Sequence, residues 1–220
     1  MTNSVYVLAP ESLLGKSAIA LGAIESLTQA GHSVGVFRPI IRTDIYDTTL
    51  ETLLEAANTS QEYDQGFGVT YAEVREDPSA AITTIIDRFH QIKKAYDRVV
   101  ILGSDYADAI KPIEFALNAR IAANLNSPTI LVVSGRGLAP EDLRYAVDFC
   151  QRSITSQGVV PFGVVAIGLD EDFLPEYDQA LASIDLPLVA TVPGVIASQA
   201  TMPTNFATEV AQAKSSVRTP

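Results

Sequence analysis

Residues 5–21 read Val-Tyr-Val-Leu-Ala-Pro-Glu-Ser-Leu-Leu-Gly-Lys-Ser-Ala-Ile-Ala-Leu. A short apolar run, Val5 to Leu8, breaks at Ala9-Pro10. Apolar residues then return after Gly15-Lys16-Ser17 as Ala18, Ile19, Leu21, Ala23, Ile24 and Leu27, at the spacing of a helix. That order is strand, loop, helix. A Gly-Lys-Ser at the start of such a helix is the second half of a phosphate-binding loop, in which the first-turn N–H groups face an anion, Lys16 reaches the outer phosphates and Ser17 ligates Mg²⁺. The first half departs from the pattern. The first glycine of G-x-x-x-x-G-K-[ST] falls at Pro10, which has no N–H, and a spacing one residue longer puts Ala9 there. Leu13 and Leu14 stand where small or polar residues let a backbone close on phosphate.

The same alternation continues along the chain. Gly31-His32 turns into a second strand, Ser33 to Phe37, which delivers Arg38 to the edge where the loops of a doubly wound sheet gather. Residues 42–78 are polar and irregular. Within them Thr49 to Ala57 has a short amphipathic helical pattern, and Gln65-Gly66-Phe67-Gly68 reads as loop. Asp44 and Asp47 follow Arg38 closely and suit either a helix cap or a metal-holding carboxylate, the cap being the simpler reading. Asp77-Pro78-Ser79 opens a helix with Ile82, Ile85, Ile86, Phe89 and Ile92 on one face. His32 and His90 read as a turn and a surface residue.

A third strand, Val99 to Leu102, runs into Gly103-Ser104-Asp105. In a nucleotide-dependent enzyme an acid for Mg²⁺ is expected at that strand end, but Leu102 occupies it and Asp105 lies three residues on. A helix with Ile113, Leu117, Ile121 and Leu125 follows and carries Asn118 and Arg120. The fourth strand, Thr129 to Val133, ends at Ser134-Gly135-Arg136-Gly137, a loop flexible enough to meet a ligand. Pro140 opens a helix to about Ser156, Gly163 to Leu169 is a fifth strand, Phe173 to Ser183 a helix and Leu188 to Val192 a sixth strand. Six apolar strands separated by helices imply a doubly wound, mainly parallel β-sheet with helices on both faces, an α/β fold of the P-loop type. Residues 1–195 form that domain. Residues 196–220, with a Ser/Lys/Arg/Thr/Pro ending, read as a tail or the start of a linker to a missing domain. Gly15, Lys16, Ser17 and Arg38, with Asp44, Asp105 and Ser134, are expected around one crevice at the carboxyl ends of the strands.

With 220 residues and 47% hydrophobic content, the chain can bury a sizeable core. A formal net charge of −11 argues against nucleic acid and anionic membranes as partners, because a phosphate backbone is held by Lys and Arg clusters and none is visible. The single cysteine, Cys150, excludes an internal disulfide and reads as a small buried hydrophobe. Neither a leader pattern nor an apolar run of membrane-spanning length is present, so a cytoplasmic location is expected.

Four stretches carry a specific resemblance: VYVLAPES..GKSAIALGAIE, VGVFRPI, GVTYAEVREDP and VVILGSDYAD.....EFALNARIAANLNSPTILVV. Together they resemble the N-terminal domain of the long, multidomain form of bacterial phosphate acetyltransferase, a domain similar to dethiobiotin synthetase within the P-loop superfamily. The resemblance runs from about Val5 to Val192. It implies a regulatory or structural domain whose acetyltransferase partner domain lies elsewhere in the parent chain, within an oligomer of acetate metabolism. Against dethiobiotin synthetase, Gly15, Lys16 and Ser17 match the phosphate loop, Ala9 replaces its first glycine, Arg38 stands at the strand-two lysine and Leu102 replaces the acidic metal ligand. Phosphoryl transfer needs a cradle, a metal ligand and a positioned cation, and these departures fall on all three. No catalytic residue, metal or cofactor is expected, beyond weak binding of Mg-ATP, a simple anion or a small anionic metabolite. The alternative is an active ATP-dependent ligase or P-loop ATPase.

Overall fold

The computed structural model describes residues 3–10, 14–42, 46–104 and 111–194. Among the described residues the core is one sheet of seven strands, all parallel, in the order β3-β2-β4-β1-β5-β6-β7. The strands are β1 (Ser4–Leu8), β2 (Val34–Ile41), β3 (Phe67–Thr70), β4 (Arg98–Leu102), β5 (Thr129–Ser134), β6 (Pro161–Leu169) and β7 (Leu188–Pro193). Every residue of β1 is buried, as a strand covered on both faces requires.

The pleat sends alternate residues to two apolar layers. Val5 and Val7, Val100 and Leu102, and Ile130 and Val132 meet α1 (Leu14–Gln29) and α2 (Thr48–Ala57) through Ile19, Ile24, Leu27, Leu50 and Leu53. Tyr6 and Leu8, Val99 and Ile101, and Leu131 and Val133 turn to the other layer. There they pack with α3 (Tyr71–Glu76), α4 (Pro78–Ala95), α5 (Lys111–Asn124), α6 (Pro140–Thr155) and α7 (Leu174–Leu181). The expected apolar stripe of α4 is buried at Ile82, Ile85, Phe89 and Ile92, and Asp77 caps it by accepting from the Ser79 and Ala80 amides. Cys150 is buried on α6, as read from the sequence. No helix among the described residues is long and apolar enough to cross a membrane.

One expectation is corrected. Gln65 to Gly68 is not all loop, because Phe67–Thr70 forms β3, a strand beyond the six expected, at the sheet edge. Four residues with only Gly68 and Val69 buried give too short an apolar run to stand out. Gly68 has to be glycine, since a Cβ there would lie 2.5 Å from the Pro39 carbonyl oxygen of β2. Before β3 begins, the side chain of Gln61 stands in for it. Its amide accepts from the Val36 N–H at 2.8 Å and donates to the Val36 carbonyl at 2.7 Å, closing the free edge of β2. Pro39 is tolerated because pairing of β2 with β4 runs only from Val34 to Phe37. The Arg38 N–H points to the Gly66 carbonyl on the β3 side, so the missing donor at Pro39 would face the side where pairing has ended.

Replacing Gln61 by Ala should therefore strip two buried backbone groups of their partners. The expected loss is about 2–4 kcal/mol, read as a lower urea midpoint at unchanged slope.

Candidate functional site

The loop after β1 leads into α1, and Gly15 at its second position packs against Ile167 of β6, whose Cδ1 occupies the space a Cβ would need. Lys16 is fully buried. Its ammonium crosses to the end of β4, where it donates to the Gly103 carbonyl at 2.6 Å and the Ser104 carbonyl at 3.1 Å. Carbonyl oxygens at charge-assisted distance are what a buried ammonium requires. Ser17, next on the helix, is partly exposed. Leu102, the residue before Gly103, is 1% exposed and packs in the layer shared with α1.

The loop carrying those carbonyls is fixed from the opposite layer by Asn118 of α5, which is 1% exposed. Its Oδ1 accepts from the Tyr6 hydroxyl at 2.8 Å and the Ser104 N–H at 2.9 Å. Its Nδ2 donates to the Ser104 carbonyl, the Ser104 hydroxyl and the Glu114 carbonyl. Burial pushes the Tyr6 hydroxyl well above its ordinary pKa; the charge of Arg38 opposes this and that of Glu114 adds to it, so Tyr6 remains an un-ionised donor. A side chain at Gly103 would crowd this network, since a Cβ would sit 2.6 Å from Asn118 Oδ1 and 2.9 Å from the Tyr6 ring.

Arg38, 4% exposed in β2, reaches the amino end of α2, the helix that packs beside α1. Its Nη1 donates to Asp47 Oδ1 at 3.0 Å. The same oxygen accepts from the Leu50 N–H, so Asp47 is both the helix cap and the counter-charge. The Asp47 N–H donates to the Tyr63 hydroxyl, and Tyr46 stacks on Tyr63 at 4.4 Å between ring centres. Ser134 ends β5 half-buried, its hydroxyl accepting from the Arg136 N–H at 3.4 Å. Asp44 and Asp105, with Leu13, lie outside the described residues. A cavity of about 570 Å³ opens between the β5–α6 and β6–α7 loops, lined by Arg136, Leu138, Pro140, Asp170, Phe173 and Tyr177.

Local pattern assigns Asn118 no role, although an Asn flanked by Phe115, Ala116, Leu117, Ala119 and Ile121 is a visible signal. For Tyr6 the local pattern marks only a strand former. Its partner lies 112 positions away in the chain, a distance no local pattern spans.

This sheet order, with a Gly-Lys-Ser opening the helix after the central strand, defines a P-loop α/β protein. The model of an AAA domain, AAA_26, matches residues 3–201, and the chain belongs to that family. It is 32% identical over 151 residues to the phosphate acetyltransferase of Nitratidesulfovibrio vulgaris, a match covering 65% of this chain and 21% of the relative. Against the phosphate acetyltransferase of Synechocystis it is 28% identical over 204 residues, or 88% of this chain and 29% of the relative. These matches bear out the resemblance to the phosphate acetyltransferase N-terminal domain, and the chain spans between a fifth and a third of those relatives' length. In fold it is similar to the MinD cell division protein of Aquifex aeolicus, with a TM-score of 0.54 and 12% identity, over all of this chain and 99% of that one.

The buried network sets a graded expectation for stability. Tyr6→Phe removes one hydrogen bond and should cost about 1 kcal/mol, whereas Asn118→Ala leaves the Tyr6 hydroxyl and the Ser104 amide unsatisfied and should cost about 3 kcal/mol or more. Gly103→Ala should fall between them at about 1–3 kcal/mol, since Tyr6 and Asn118 must shift to admit a methyl group. Urea titrations of the three variants check the order.

Proposed function

We propose that this chain is a non-catalytic N-terminal domain of a phosphate acetyltransferase, a cytoplasmic enzyme that exchanges acetyl between coenzyme A and phosphate in a separate domain of the parent chain. In this reading the domain packs within an oligomer, and the start of α1 holds one small anionic group, such as a metabolite carrying a single phosphate or carboxylate. The relatives named phosphate acetyltransferase support the parent activity.

The observation that carries the non-catalytic reading is the position of Lys16. Its ammonium is engaged by the Gly103 and Ser104 carbonyls, and to reach a triphosphate it must release bonds worth roughly 1.5–3 kcal/mol each. The residues present do not fit a magnesium nucleotide in other respects. Pro10 offers no N–H where the loop begins, Leu102 supplies no side-chain oxygen where a metal ligand is expected, and Arg38 is held by Asp47. One anion asks less, because the first-turn amides of α1 remain a site for a single charged group. An active ligase or ATPase would need all three missing parts.

Titration calorimetry with Mg-ATP is expected to give a dissociation constant of about a millimolar or weaker. A value near ~10 μM that Lys16→Ala abolishes would establish a working nucleotide site and reverse the reading. Assayed alone, the chain should form no acetyl phosphate from acetyl-CoA and phosphate. Turnover above a mock preparation would show instead that the chain holds transferase chemistry of its own.

A further inference from the structure

Helix α6 buries Leu143, Val147, Cys150 and Ile154 against the sheet, yet presents Tyr145 at 60% and Phe149 at 73% exposure. At 100° per residue these two rings lie one turn apart, on the side directly opposite the buried stripe. The guanidinium of Arg144 sits 4.3 Å from the centre of the Tyr145 ring and is itself tied to Glu141 at 3.0 Å, so the ring is steadied from one side. With Asp142 and Arg152 the outward residues fall at 142, 145, 149 and 152. That 3-4-3 spacing is the seam along which two helices pack.

The seam is also a palindrome in character. A two-fold axis crossing the helix at Val147 sets Tyr145 against the partner's Phe149 and Asp142 against the partner's Arg152, and symmetry repeats both pairs. Ring meets ring and acid meets base. A parallel pairing would set Asp142 on the partner's Asp142 and Arg152 on the partner's Arg152, which like charges oppose. Arg152 is 80% exposed and bonds only at the surface, to Asp148 at 2.9 Å, so it can turn to a second acid at little loss.

We infer that α6 is a self-association face, and that its occupant is the α6 of a second copy of this chain, antiparallel about a two-fold axis at Val147. The match is isologous, as a closed two-fold dimer demands. A helix of about 24 Å buries less than a standard interface, and two copies of net charge −11 repel beyond the contact. A dissociation constant in roughly the micromolar range follows.

Sedimentation velocity of the whole chain at about 0.15 M salt, where charges are screened beyond about 8 Å, tests this. The chain should dimerise, and Phe149→Asp should weaken the dimer about a hundredfold or more. Asp142→Arg and Arg152→Asp should each weaken it about tenfold, and the double exchange should restore it, since the pair is reversed rather than lost. Because all three positions are exposed, melting curves should stay near that of the parent chain; if Phe149→Asp does not fold, Phe149→Ser takes its place. A chain monomeric up to about 100 μM, a dimer indifferent to position 149, or a double exchange that fails to restore association would each overturn the assignment.

Discussion

A lysine ammonium in a sealed interior imposes the condition that organises this molecule. Lys16 enters from α1, and the charge must be met by oxygen because water is excluded. The oxygens come from Gly103 and Ser104, so the turn after β4 has to place two successive carbonyls toward the first helix. Asn118, rising from the other layer, holds that turn by three of its groups and ties it to Tyr6 of the central strand. Both helical layers therefore grip one loop at the carboxyl edge of the sheet, and the crowding that results favours glycine at Gly103.

The second cation follows the same logic with a different counter-ion. Arg38 meets the carboxylate of Asp47, whose remaining capacity caps α2, and Tyr63 fastens the backbone of that residue. Position by position this edge resembles a phosphate-binding apparatus. Side chain by side chain, its positive charge is held by groups of the protein.

What could be read in the sequence depended on how a feature is encoded. The strands buried on both faces announce themselves as runs of Val, Ile and Leu, as in β1, β4 and β5. Helices with a proline at the first position and an apolar stripe, α4 and α6, were equally plain, as was the capping role open to Asp47. The edge strand β3 is hidden because only two of its four residues are fully buried and one of those two is glycine. The Lys16 contact was hidden for another reason. A motif states which residue stands at the helix start, not which way a flexible side chain turns, and that choice is made by carbonyls some 87 positions away.

The sheet order carries a consequence for synthesis. Of the strands in this sheet, the first in chain order lies at the centre, where Ser4 lines up with Val99 and Tyr6 with Thr129. At about 5–20 residues per second, Ser-Val-Tyr-Val-Leu waits on the order of ten seconds before either neighbour exists. During that interval it is an uncharged, β-forming segment with both edges open, the kind of sequence that pairs with whatever strand is nearest. Helix α1 and the strand β2 that follows it cannot shelter it fully, because β2 reaches the sheet only through β4. Until β4 and β5 are made, that pentapeptide is the segment of the sheet that stays longest open to pairing with other strands.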